Sequence, residues 1–208
     1  RLHISSIFDR WLRRRRTSRL PVRLRNPVQL NLRRLEDRRV LDVSAAFLTA
    51  TGALDVVISN TGDTASIDAE GGKIEIHDAG GTAVPIEVVG NDHGPIHLSD
   101  VESLSVRGDN AAGQRVVLET FLLPSNGITI ASTVEVATLN DSISFVENNG
   151  IHVEAQTIHL GGDLETNADD IVLAGDVRLT HDTTLTAANV IIGGTVNDDG
   201  NDLTNSAL

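Results

Sequence analysis

Cysteine is absent from the 208-residue chain. That excludes a disulfide framework, a thiolate-held zinc or iron–sulfur centre, and a thiol nucleophile. Tyrosine is absent as well, and one tryptophan with four phenylalanines brings the aromatic share to 2%. A core of packed rings is therefore excluded, and Val, Ile, Leu and Ala must do the packing. Methionine is also missing, initiator included, which predicts a processed product or a fragment. Positive charge is scarce beyond residue 39. Residues 1–39 hold 13 of the 17 basic residues, all Arg, against Asp9, Glu36 and Asp37, a balance of +10. The rest of the chain holds 4 basic and 26 acidic residues, a balance of −22. A basic head on an acidic body implies two segments with different jobs. Composition supports no enzymatic reading.

In the head, Pro21 and Pro27 remove backbone donors and push the preceding residues out of the α region, so no single helix runs through it. Leu32 and Leu35, with Arg33, Arg34, Arg38 and Arg39 around them, permit a short amphipathic helix over roughly 28–41, its apolar stripe too narrow to fold alone. A run of Arg neutralises phosphates, yet nucleic-acid binding calls for a folded presenting module, and no helix-turn-helix, finger or RNP pattern is present. Two other uses suit such a segment: lying on an anionic membrane surface, or serving as the n-region of an export signal. In the second case residues 43–54, uncharged throughout and rich in small residues, form a weak h-region, with Asp42 at its mouth and cleavage expected near residues 44–54. The plain alternative is a disordered basic tail.

Leu35-Glu36-Asp37-Arg38-Arg39-Val40-Leu41 resembles the LE-P-R-x-L-L type segment near the N-terminus of large exported proteins of planctomycete bacteria. In that family an Arg-rich stretch precedes the motif, and small residues and long β-rich repeats follow, the same order as here. The chain departs from the pattern at Asp37, where the family often has Pro, and at Val40 before the final Leu. The resemblance implies export to the cell envelope and says nothing about chemistry.

From Val43 onward the chain is rich in Val, Ile and Thr. This β-branched enrichment, interrupted by Gly, Asn and Asp every few residues, is a strand-and-turn composition. Short alternating runs recur, among them Lys73-Ile-Glu-Ile-His77, Arg115-Val-Val-Leu-Glu119 and Ile151-His-Val-Glu154, so one face is buried and the other wet. No long helical stripe runs through the body, and no transmembrane helix is expected. Ile158-His-Leu-Gly-Gly-Asp163-Leu164 matches Ile171-Val-Leu-Ala-Gly-Asp176-Val177 at a spacing of 13, and Val190-Ile-Ile-Gly-Gly-Thr195-Val196 follows at 19. Repetition of one strand–turn–strand unit predicts stacked rungs, with Ile158/Leu160, Ile171/Leu173 and Val190/Ile192 as successive buried layers. The pattern resembles the rungs of filamentous-haemagglutinin-type and autotransporter-type surface proteins over roughly 113–208. The fold expected is all-β, a right-handed parallel β-helix or solenoid. An antiparallel β-sandwich is the alternative, although its hairpin dipeptides are sparse: Asn126-Gly127, Asn149-Gly150 and Asp199-Gly200.

Asn197, Asp198, Asp199 and Asp202 offer hard oxygen donors suited to Ca²⁺. The segment fits neither the EF-hand nor the Gly-Gly-x-Gly-x-Asp calcium-roll pattern, and Asn and Asp also make turns by bonding their own backbone. His93 and His97 are separated by Gly94-Pro95, which forbids the helix that would bring them together. His77, His97, His152 and His159 lie in alternating runs and should point outward. Arg107-Gly108-Asp109 reads as turn chemistry rather than as a receptor tripeptide. Asp169-Asp170 has only Arg178 as a nearby cation, short of the carboxylate array that a β-helix lyase or hydrolase uses.

The expected organisation is an Arg-rich export or targeting segment over 1–42, a β-rich capping or small β region over 43–112, and solenoid repeats over 113–208 truncated at Leu208. The expected function is that of a non-catalytic secreted or cell-surface structural or adhesion-type protein, without a catalytic or cofactor-binding residue. Its partners would be envelope or extracellular surface components rather than nucleic acid or a specific small molecule. The other class is a carbohydrate-active β-helix enzyme with its catalytic rungs outside this chain.

Overall fold

The alternating runs become strands in a computed structural model, which describes residues 42–90, 94–119, 127–144 and 150–198. The Arg-rich segment over 1–41, with its LE-x-R motif, lies outside the described residues. Among the described residues eighteen strands follow in order: β1 (Val43–Leu48), β2 (Ala53–Ile58), β3 (Thr64–Asp68), β4 (Glu75–His77), β5 (Ile86–Val89), β6 (Ser103–Gly108), β7 (Arg115–Leu118), β8 (Ile128–Ile130) and β9 (Val136–Leu139). The second half supplies β10 (Ile143–Ser144), β11 (Ile151–Val153), β12 (Thr157–Leu160), β13 (Leu164–Glu165), β14 (Ile171–Leu173), β15 (Asp176–Leu179), β16 (Leu185–Thr186), β17 (Val190–Ile192) and β18 (Val196–Asp198). Among the described residues the only helical elements are two short 3-10 turns, so the chain is all-β.

The strands form three sheets. One has eight strands in the order β17-β14-β11-β8-β6-β2-β1-β5, another has seven in the order β18-β15-β12-β9-β7-β3-β4, and the third is β10-β13-β16. From β8 onward the chain visits these sheets in rotation. Each strand there pairs in parallel with the strand three places further along the chain, as far as β18. Antiparallel strand pairs are confined to β1–β2 and β3–β4, so the described strands of 113–208 do not pair as a sandwich would require. Residues 43–112 supply β1–β6, which lie in the same two larger sheets as strands from the later region.

Register explains burial. Leu54, Leu104, Ile128, Ile151 and Ile171 occupy one column of paired positions, and Ala65, Val116, Ala137, Ile158 and Val177 another; all are buried. Their sequence neighbours, such as Thr129 and His152, alternate to the exposed side because side chains alternate along a strand. The inward residues of all three sheets join a single apolar cluster. Phe47 is the largest side chain in it, so aliphatic packing carries the core, as the aromatic-poor composition requires.

The expected layers need correction. Ile171/Leu173 and Val190/Ile192 do pair, but Ile158/Leu160 belong to the seven-stranded sheet, where Ile158 pairs with Ala137 and Val177. The spacing of 13 therefore joins strands of two different sheets, whereas the spacing of 19 joins paired strands of one sheet. Both corners use the same strand–Gly–strand pattern, so the local sequence does not distinguish them. Nor is the last layer buried throughout: Val190, on the edge strand β17, is 41% exposed. Residues 43–54, whose composition suits an h-region, are built into a sheet. β1 lies between β2 and β5, with Val43 and Phe47 each 1% exposed, so residues of this stretch serve as inward strand positions.

Candidate functional site

The surface chemistry is built on the outward columns and on the corners between sheets. In the seven-stranded sheet, Thr138, His159, Arg178 and Asn197 stand in successive paired positions. In the eight-stranded sheet Thr129, His152 and Val172 do the same, and His152 Nε2 lies 2.9 Å from Glu154 Oε1. His77 and His159 are half-buried and His97 is exposed, each next to a buried apolar residue.

Polar side chains at the corners reach from one paired strand segment to the next. The backbone N–H of Asp163 donates to Ser142 Oγ at 3.1 Å, and that of Thr184 donates to Asp163 Oδ1 at 2.7 Å. Asp176 Oδ1 accepts from both the backbone N–H and the hydroxyl of Thr195, at 2.9 and 2.8 Å. Asn189 donates to Asp170 at 2.7 Å and Asn140 to Glu119 at 2.9 Å. All these partners lie 19 to 21 residues apart, the pairing interval of the strands. The hydrogen bonds from Thr195 hold the Asp176 carboxyl below its usual range. A carboxylate in such a bond favours the charged form.

The residues singled out from sequence are not brought together. Asn197 and Asp198 are consecutive on β18, and their register partners differ in kind: Asn197 follows outward Arg178, and Asp198 follows inward Leu179. Consecutive strand positions face opposite sides, so this pair does not converge on one ion. Asp199 and Asp202 lie outside the described residues. Among the described residues no group of three or more His, Asp or Glu side chains is placed to hold a metal. Asp169 and Asp170 precede β14 in the eight-stranded sheet, and Arg178 lies on β15 in the other large sheet. Arg107 and Gly108 end β6, and Asp109 Oδ1 accepts from Ala111 N–H at 3.0 Å and from Gln114 Nε2 at 2.6 Å. The carboxylate of the Arg-Gly-Asp tripeptide thus closes its own turn.

Comparison with protein-family models, curated proteins and solved structures returns no match for this chain. What bears on function is the chain's own geometry. Two further features belong to that geometry. An open pocket of about 440 Å³ is lined by Ile74, Ile76, Val84 and Ile96, with Lys73 and Glu75 among its residues. Among the described residues no helix is long and apolar enough to cross a membrane.

A buried polar cluster has no local sequence signature. Gln114 is fully buried, and its Nε2 donates to Ile58 O at 2.7 Å as well as to Asp109. Its Oε1, like Asp63 Oδ2, is buried without a hydrogen-bond partner among the described residues. Burial pushes the Asp63 carboxyl up, and the nearby Asp42 and Asp109 charges add to that, against hydrogen bonds from Asn60. A carboxyl whose folded-state pKa is raised binds its proton more tightly when folded. Its charge therefore penalises the fold at neutral pH, and the penalty is relieved as pH falls through the raised value. Asp63→Asn is expected to raise the thermal midpoint at pH 7 and to narrow the difference between pH 7 and mildly acidic buffer. An unchanged midpoint and an unchanged pH profile would show that Asp63 carries no such penalty.

Proposed function

We propose that the described strands form a right-handed parallel β-helix that acts as a non-catalytic structural or adhesive module, secreted or held at the cell surface. The observation that carries this reading is the rotation of the chain through three sheets, each strand from β8 onward pairing in parallel with the one three places later. In that arrangement each turn buries its apolar positions against the next and leaves an outer surface of repeated polar columns. Such a surface suits contact with extended envelope or extracellular components, because outward side chains stand in columns at the strand spacing of roughly 4.8 Å. The Arg-rich head supports export as a basic targeting segment that is removed, while the small-residue stretch that follows it is kept as β1 and the start of β2.

The test is the location and the N-terminus of the mature protein. Fractionation of the source cells, followed by N-terminal sequencing, is expected to recover the protein from the envelope or medium. Its first residue should lie at or before Val43, because cleavage inside residues 44–54 would cut β1 or β2 out of the eight-stranded sheet. A cytoplasmic protein that keeps Arg1 would overturn the export reading.

A further inference from the structure

On its way from the eight-stranded to the seven-stranded sheet the chain turns one corner repeatedly, with six residues at 109–114, five at 131–135, three at 154–156 and two at 174–175. Where the corner shortens, a pocket of about 300 Å³ lies among the first three of these turns. Those turns join strands that are paired on both sides, so the pocket is not the product of a sheet edge. Asn110, Ser132, Thr133, Glu135 and Gln156 line it, and Glu135 is its only charged lining residue. The half-buried Glu135 accepts from the backbone N–H of Gly113. Thr133 Oγ1 accepts from the backbone N–H of Gly108 at 2.8 Å, which leaves the Thr133 O–H to donate. The exposed side chains of Asn110, Ser132 and Gln156 have no hydrogen-bond partner among the described residues.

We infer that this pocket binds one uncharged sugar unit, an inference that rests on the adhesive reading of the outer surface. The lining chemistry selects that class. Each sugar hydroxyl both donates and accepts, and so do the amides of Asn110 and Gln156 and the hydroxyl of Ser132. Thr133 adds a donor and Glu135 an acceptor, so neighbouring hydroxyls meet partners of both kinds. A uronate or phosphate would meet the Glu135 carboxylate in a body of net charge −22, and like charges brought together turn a partner away. An apolar ligand would leave these polar groups covered and unpaired. The volume is at the low end for small-ligand pockets, room for a single ring rather than an extended molecule.

NMR titration of the full chain tests this, with the methyl glycosides of glucose, galactose and mannose as probes and that of glucuronic acid as their charged counterpart. At least one neutral glycoside should bind and shift the amides of residues 110–113 and 132–135, and the glucuronide should not. Asn110→Gly combined with Gln156→Ala should weaken that binding by about tenfold, the equivalent of two ordinary hydrogen bonds. Glycine takes the φ of 71° at Asn110 without strain, and Gln156 is exposed, so the fold should be kept. Ser132→Ala, also expected to weaken binding, serves should that pair fail to fold. Glycosides substituted at the 4-hydroxyl as well imitate a unit inside a chain: their binding assigns the site to a glycan, their rejection to a free sugar. Binding of no neutral glycoside overturns the inference, as does undiminished binding in a folded variant or equal binding of the glucuronide. A protein recovered from the envelope that binds none of these probes would sink the pocket's assignment and leave the adhesive reading standing.

Discussion

Leu173→Ala is expected to lower the unfolding free energy by about 2–5 kcal/mol, the range for truncating a well-packed aliphatic side chain. Leu173 is fully buried on β14, with Val153 and Ile192 as its register partners on either side. The missing methyl groups would leave a void bounded by the paired strands before and after. Collapse into it is hindered because the same stretches of chain are held in register by backbone pairing in two other sheets. Thr129, exposed on β8 between Ile128 and Ile130, is the matched control. Thr129→Ala should change stability by no more than about 1 kcal/mol, the span of strand preference at an open position. Urea unfolding of the full chain and both variants measures the contrast. Equal, small effects at the two sites would mean that the columns are not a packed core.

Gly175→Ala is expected to destabilise by about 1–3 kcal/mol, through crowding rather than through lost contact. A β-carbon built at Gly175 would strike the carbonyl oxygen of Ala155, and one built at Gly194 would strike that of Gly175. These glycines stand at the corner where the chain passes from the eight-stranded to the seven-stranded sheet, and successive corners approach there backbone to backbone. The obstacle is a peptide group, which cannot rotate aside as a long side chain would. The same unfolding measurement decides this case. A Gly175→Ala protein as stable as the wild type would show that the corner spacing relaxes freely.

Much of the fold is legible in the residues. Alternation in runs such as Ile151-His-Val identifies strands and their buried faces, because a period of two survives any pairing partner. The scarcity of hairpin dipeptides points to parallel pairing in the later region. The repeat misplaces one strand, since Ile158-His-Leu-Gly-Gly and Ile171-Val-Leu-Ala-Gly share the chemistry of a corner and not its place in the sheets. Residues 43–54 are ambiguous because small uncharged residues suit both an h-region and an inward strand. The Asp63, Asp109 and Gln114 cluster is invisible in the sequence, since Asp109 and Gln114 meet across a short turn but Asp63 joins them only once β3 pairs with β7. The corner hydrogen bonds do have a usable signal. Ser142, Asp163 and Thr184 recur at a constant spacing of 21, and a search for polar residues at the pairing interval would find them.

The near-constant interval between paired strands has an evolutionary consequence. From β11 onward a strand pairs only with the strand three places before it and, where one follows, the strand three places after it, so one circuit of the three sheets is a self-contained unit of exchange. Duplicating or deleting one such circuit leaves every remaining pairing in phase, whereas gaining or losing a residue inside a strand turns its side chains to the wrong face. Length is therefore free to change in whole circuits and at the corners, where the interval between paired strands already runs from 19 to 23 residues, but not inside a strand.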